Sequence, residues 1–383
     1  MENESLISII LPNHNNANYL WRTIESVIAQ TYKNWELIAV DDGSSDDSVE
    51  VIKKYAAKDR RIKPTFLEQN VGMCTVFNIA LEQAKGKYIA RIDSDDFWEP
   101  GKLARQYEYM ESNPNCGATF TWVRVIDENE QEVPTTKCEG RDKNFNTENR
   151  TRAQWLRTFF FEGCRVCHPS AMIRREALEK VGGKYNYIYR QIQDLDLWIR
   201  IAKHYDIYVI PEKLTNYRWF QTDKTNASAS NPGTLTRGLF EMYRIMSHFN
   251  DNIPDELFLE AFHDDMFDKG AKSHGEIACE RAFIMYHNPY LGNIGRVIGL
   301  SMLDKLYNDS ETREILIKKY GFTAMKYSEW TSYPVFYDSV YVCPPQEFKK
   351  ANTKVKDIIK KWLSKWPFMF KFAQRCYCIF RKK

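Results

Sequence analysis

Over the first hundred positions the apolar residues fall in short unbroken runs, each closed by a polar loop and followed by helical spacing. Leu6-Ile7-Ser8-Ile9-Ile10-Leu11 ends in Pro12-Asn13-His14-Asn15, after which Leu20, Ile24, Val27 and Ile28 recur on one face of a helix. Residues 35–40 form a second run, stopped by Asp41-Asp42-Gly43-Ser44-Ser45-Asp46, which supplies turn chemistry and a helix N-cap. Residues 62–67 form a third strand, Asn70-Val71-Gly72 a turn and residues 73–84 a helix. Residues 87–92 are a fourth strand that runs directly into Asp93-Ser94-Asp95-Asp96. Four strands alternating with three helices predict a parallel sheet, and ligands bind such sheets beyond the carboxyl ends of the strands, where both acidic loops lie.

Further on, Gln193-Asp194-Leu195-Asp196-Leu197-Trp198 opens a helical run over residues 195–204. After Trp219 the organisation changes. Residues 221–233 are polar and read as a loop over the site or a plain linker, and helices are expected over 235–249, 256–269, 276–286 and 297–307. Residues 320–343, rich in aromatics, Ser and Thr, receive no element. The division expected is 1–225 as an α/β domain, 226–348 as a mainly helical region and 349–383 as a basic amphipathic tail.

The tail changes the charge picture. The whole chain of 383 residues carries only +3, but residues 349–383 hold twelve Lys or Arg against Asp357 alone, so 12 − 1 = +11 sits in the tail. Val355, Ile358, Ile359, Trp362, Leu363 and Trp366 share one helical face there. Trp and Phe flanked by Lys and Arg suit the interface of an anionic bilayer, in preference to a helix packed on its own domain or a nucleic-acid patch. Nucleic acid is therefore not expected as a partner. Nine scattered cysteines form no disulfide framework, no run of eighteen apolar residues spans a membrane, and the opening Met-Glu-Asn-Glu-Ser lacks the pattern of a signal peptide. A cytoplasmic protein, peripheral at the inner face of the cell membrane, is the expectation.

Three carboxylates within four residues repel one another unless a cation lies among them, and hard divalent ions such as Mn²⁺ or Mg²⁺ take oxygen ligands of this kind. A metal held by so few carboxylates implies a phosphate-bearing substrate; the alternative is an ordinary polar turn. No G-x-G-x-x-G follows the first strand and no G-x-x-x-x-G-K-[ST] occurs, which removes dinucleotide and P-loop enzymes. Cys164-Arg165-Val166-Cys167-His168 spells a c-type haem attachment motif. Without an exported context or a second C-x-x-C, its cysteines read as structural.

Taken together and in order, these segments resemble the GT-A-fold glycosyltransferases of family 2, over roughly residues 5–220. The likeness rests on Ser8-Ile9-Ile10-Leu11-Pro12 with its loop to Asn15, Ser26-Val27-Ile28-Ala29-Gln30-Thr31-Tyr32, and Val40-Asp41-Asp42-Gly43-Ser44. It continues in Asn70-Val71-Gly72, Asn78, Ala84 and Gly86, in Asp93-Ser94-Asp95-Asp96, and in the segment 193–198. The resemblance implies a Rossmann-like, mostly parallel α/β sheet flanked by helices, followed here by a helical C-terminal region. It also implies an inverting, metal-dependent transfer of a sugar from a nucleotide-diphosphate donor, a UDP-sugar, to an acceptor hydroxyl, and the basic tail at 349–383 adds a glycan or lipid-linked acceptor in bacterial surface polysaccharide synthesis to the expectation. The alternative is a non-catalytic relative that binds nucleotide sugar or carbohydrate as a partner subunit.

By the same resemblance Asp41 or Asp42 would bond the nucleobase and Pro12, His14 and Asn15 would flank it. Asn70 and Gly72 would complete the donor site, and Asp93 would lie near the ribose. Asp95 would bind Mn²⁺ or Mg²⁺ with support from Asp96. Asp194 would be the general base, with Asp196 as runner-up, and His168 would face the site. His14 departs from the aromatic phenol usual there and is either a stacking contact or a loop histidine. Gln193 replaces the usual Glu beside the base, and Asp194 read without the other motifs would be merely a helix N-cap.

Overall fold

A computed structural model describes residues 4–138, 140–220 and 231–333; the tail 349–383 and most of the polar stretch 221–233 lie outside the described residues. The first half follows the predicted alternation: β1 (Ile7–Asn13), α1 (Ala17–Ile28), β2 (Trp35–Asp41), α2 (Ser48–Ala56), β3 (Ile62–Phe66), α3 (Met73–Gln83) and β4 (Tyr88–Arg91). Every residue of β1, β2 and β4 is buried, as befits strands covered on both faces. They pair in parallel in the order β3-β2-β1-β4, with Asn13 registered on Asp41, so the loops after β1, β2 and β4 emerge at one edge.

Beyond β4 come β5 (Phe97–Trp98), α4 (Lys102–Ser112), β6 (Cys116–Ile126), α5 (Arg141–Phe145), α6 (Arg152–Phe161), β7 (Met172–Arg174), α7 (Arg175–Lys180), α8 (Gln193–Ala202) and β8 (Asp206–Arg218). Three-residue β7 pairs antiparallel with both β4 and β6, and β6 lies parallel to β8, giving an eight-stranded mixed sheet. The β7 pairing brings His168, in the 3₁₀ turn just before it, beside the end of β4.

The helical region comprises α9 (Pro232–Ser247), α10 (Asp255–Phe262), α11 (His274–Tyr286), α12 (Asn293–Asn308), α13 (Ser310–Lys318) and α14 (Ala324–Thr331). It shares a core with the α/β layer: Phe160 of α6 meets Phe249 at 4.8 Å and Phe262 at 5.2 Å between ring centroids, and Arg157 holds Asp265 through two 2.9 Å bonds. The helix expected over 256–269 ends early at Phe262. Buried Glu280 of α11 accepts the N–H groups of Phe267 and Asp268 at 2.8 Å, which draws that backbone out of helical pairing. Helix α14 occupies part of the stretch that had no assigned element.

Candidate functional site

Three loops at the carboxyl edge of the sheet are stitched together by their own polar side chains. Asp41, ending β2, accepts from Asn13 Nδ2 at 2.7 Å and from the Ser44 hydroxyl and N–H at 2.6 and 2.9 Å. Asp42 accepts the N–H groups of Val71 and Gly72 at 2.7 and 3.0 Å, so it holds the turn that opens α3. Gly72 has φ 92°, a conformation costly for any residue with a Cβ. His14 is exposed; Nδ1 bonds the Asp42 carbonyl at 2.8 Å and Nε2 lies 3.2 Å from Asn15 Nδ2, a pattern that places the ring proton on Nδ1. Asn15 is left-handed, φ 53°, and accepts the Ser45 N–H. Asn16 reaches Ser94 at 2.8 Å, tying the first loop to the acidic one. Pro12 lies buried within β1, and Asn70 is exposed.

The acidic loop divides its carboxylates among different tasks. Asp93 accepts from Arg91 Nε and Nη2, both at 2.9 Å. Asp96 is buried; its Oδ1 accepts the Arg218 N–H at 2.8 Å, while its Oδ2 has no partner. Asp95 is half-buried, and its carbonyl accepts from Arg218 Nε at 2.9 Å. Burial, then the neighbouring carboxylates, push Asp95 and Asp96 well above the usual range, so a dication among them would find acids that gain from its charge.

Asp194 stands in the first turn of α8. Ile192, not Asp194, occupies the N-cap position, so the capping role is not the one Asp194 plays. Its Oδ1 accepts the Leu195 N–H at 2.8 Å. Burial raises its pKa, opposed by that bond, by the Cys164 thiol and by the Arg91 charge. Asp196 is bound by Arg200 one turn on, with Nε at 3.1 Å and Nη2 at 2.9 Å. Buried His168 accepts or shares a proton with the Tyr185 hydroxyl at 2.7 Å through Nε2, and its Nδ1 has no partner. Burial, then Arg91, depress it well below the usual histidine range and keep the ring neutral. Cys164 and Cys167 are pushed well above the thiol range by burial, which makes them poor nucleophiles.

A family model, glycosyl transferase family 2, matches residues 8–182. An uncharacterized glycosyltransferase of Methanocaldococcus jannaschii is 36% identical over 216 residues, covering 56% of this chain and 70% of its own length. TuaG of Bacillus subtilis, a glycosyltransferase assigned to teichuronic acid biosynthesis, is 31% identical over 240 residues, covering 62% of this chain and 87% of its own. The chain belongs to glycosyl transferase family 2. In fold this glycosyltransferase resembles S. aureus TarS in complex with UDP, with TM-score 0.52 and 17% identity over 77% of this chain and 88% of the other. TarS in complex with UDP-GlcNAc gives TM-score 0.52 and 18% identity over 85% and 91%.

Two cations of the glycosyltransferase were not anticipated from its sequence. Arg91, 4% exposed, bonds Asp93 and its charge also bears on Asp194; its Nη1 has no partner and its guanidinium sits 5.8 Å from the Phe77 ring centroid. The available signal was a charge inside the apolar run Tyr88-Ile89-Ala90-Arg91-Ile92, because an arginine in a strand buried on both faces needs a counter-charge close by. Arg218, 3% exposed at the end of β8, donates its Nε to the Asp95 carbonyl, while its backbone N–H bonds the Asp96 carboxylate. Among the described residues no three Asp, Glu, His or Cys side chains converge to hold a metal ion. One or two carboxylates completed by substrate phosphates is how Mg²⁺-type ions are commonly bound, and the unpartnered Asp96 Oδ2 beside Asp95 fits that mode.

Proposed function

We propose that this family 2 enzyme is an inverting glycosyltransferase that moves a sugar from a nucleotide-diphosphate donor, a UDP-sugar, to a hydroxyl of a glycan or lipid-linked acceptor in surface polysaccharide synthesis. The observation that carries it is that buried Arg91 bonds Asp93 of the acidic loop at 2.9 Å while its charge also bears on Asp194, which links the donor-side carboxylates to the candidate base. The teichuronic acid assignment of TuaG and the UDP ligands of TarS support the substrate classes. At the donor end Asp41 and Asp42 shape the base pocket, with His14 at its rim, and Asp93 faces the ribose. Asp95 and Asp96 would hold Mn²⁺ or Mg²⁺, which when bound supplies charge stabilisation to the departing diphosphate. At the base end Asp194 takes the proton of the acceptor hydroxyl, a contribution of about 10²- to 10⁴-fold in rate. Its raised pKa makes the carboxylate a stronger base than a solvent-exposed aspartate. With Asp196 neutralised by Arg200, Asp194 is the better candidate. One base facing the leaving group gives displacement with inversion at the anomeric carbon.

Among the described residues no helix is long and apolar enough to cross a membrane. The basic, aromatic tail at 349–383 then provides a peripheral attachment to an anionic bilayer, where a lipid-linked acceptor would reside. A thermal-shift panel of UDP- and GDP-sugars with Mn²⁺ tests the donor assignment. A UDP-sugar should stabilise the protein most, and indifference to every nucleotide sugar would overturn the reading.

A further inference from the structure

The helix that presents Asp194 has no side-chain cap of its own. Glu241 of α9 supplies one from the helical region. It is 2% exposed, its Oε1 accepts the Arg190 N–H at 2.8 Å, and its Oε2 accepts those of Gln191 and Ile192 at 2.9 and 3.0 Å. These three donors are the last backbone groups before α8, and an anion beside them also complements the helix dipole. At the other end Lys203, just past α8, donates Nζ to the carbonyls of His248 and Asp251, at 3.0 and 2.8 Å, where α9 terminates. One helix therefore grips α8 at both ends. Earlier in the chain leading into α8, Tyr185 and Tyr189 are buried and held by Asn78 and Cys74, while Tyr187 and Ile188 are 46% and 73% exposed.

We infer that Glu241 is a positioning residue for the transfer reaction: by fixing the backbone of 190–192 it sets where Asp194 stands, and this makes the helical region part of the catalytic apparatus. The inference rests on Asp194 being the base. A buried carboxylate spent on three backbone donors fixes geometry in a way that an apolar residue of similar size would not. A displacement of about 1 Å in a reacting group can cost on the order of 10²-fold in rate.

The experiment compares wild type, Glu241→Gln, Glu241→Asp, Asp194→Asn and the Asp194→Asn/Glu241→Gln double variant. Turnover is read as nucleoside-diphosphate release from whichever UDP- or GDP-sugar the wild type consumes fastest, and folded fraction by circular dichroism. Glu241→Gln puts an amide N–H against backbone donors, so kcat should fall by about 10- to 100-fold with donor KM within about twofold. Glu241→Asp, which keeps the charge, should recover part of kcat. In the Asp194→Asn background Glu241→Gln should cost nothing further, because it acts through the group already removed. Wild-type kcat in folded Glu241→Gln, an equal additional loss in the double variant, or a loss that merely tracks unfolded protein would each overturn the inference. Wild-type turnover by Asp194→Asn alone would instead remove the base assignment on which it stands.

Discussion

Replacing Arg91 by Met removes a buried cation that bonds Asp93 and whose charge bears on Asp194. Two consequences follow from the geometry. Asp93 loses both of its 2.9 Å bonds from the guanidinium. Breaking a fully buried pair costs about 3–5 kcal/mol, but Asp93 is 29% exposed and water can replace part of the loss, so about 1–3 kcal/mol is expected here. Asp194 loses the positive charge that opposes its burial, while the Leu195 N–H bond and the Cys164 thiol remain and Cys74, Tyr185 and Tyr290 lie near. A nearby opposite charge lowers a carboxyl pKa, so its removal should move the acid limb of kcat to higher pH. The sign follows from the base being active only when ionised: activity is lost as pH falls through its pKa, and a higher pKa brings that loss on sooner. Arg91→Lys, which keeps a charge but not the fork, should lie between. The assay is the pH profile of nucleotide release, with thermal melts alongside. Superimposable acid limbs for wild type and Arg91→Met would refute the electrostatic role, whatever the change in stability.

Chelator-treated protein should lose both nucleotide-sugar stabilisation and turnover, with Mn²⁺ restoring them in wild type but not in Asp95→Asn; equal activity with and without metal would contradict the metal assignment. Burial raises the Asp194 pKa in the folded state, so its ionised form opposes folding at neutral pH, and Asp194→Asn should melt above wild type; calorimetry giving a lower melting temperature would argue against that environment. Full-length protein should sediment with anionic vesicles and much less with neutral ones, and removal of residues 349–383 should release it; unchanged binding by the truncated protein would take the tail out of membrane attachment.

What the residues revealed in advance follows from which interactions are local. β1, β2 and β4 are apolar runs closed by Asp, Asn, Gly and Ser, and both signals lie within a few residues of each other, so the parallel half of the sheet and its loops were legible. The other half depends on pairings between distant segments. β7 is three residues long, and β6 and β8 pair with register shifts near Thr121 and Trp122 that break any simple alternation. The site divides the same way. Its acidic residues, and Arg91 bonded to Asp93 two positions on, sit in short motifs, but Arg218 and Glu241 matter through partners reached only after folding: Asp196 and Arg200 are one turn apart, whereas Arg218 and Asp96 are separated by 122 positions. Asp42 shows the limit from the other direction. A role on the nucleobase was expected from its loop, but both its oxygens accept N–H groups of the turn at 71–72, so any contact with a base must use its remaining lone pairs.

The most direct test is the transfer rate of Asp194→Asn measured with its donor affinity. The amide keeps the side chain's shape and an oxygen to accept the Leu195 N–H, but it cannot take a proton from an acceptor. With Asp194 as the base, kcat falls by about 10²- to 10⁴-fold while donor affinity stays within about twofold of wild type. Turnover near the wild-type rate, with the loss appearing in Asp196→Asn instead, would contradict the account and move the base two residues along α8.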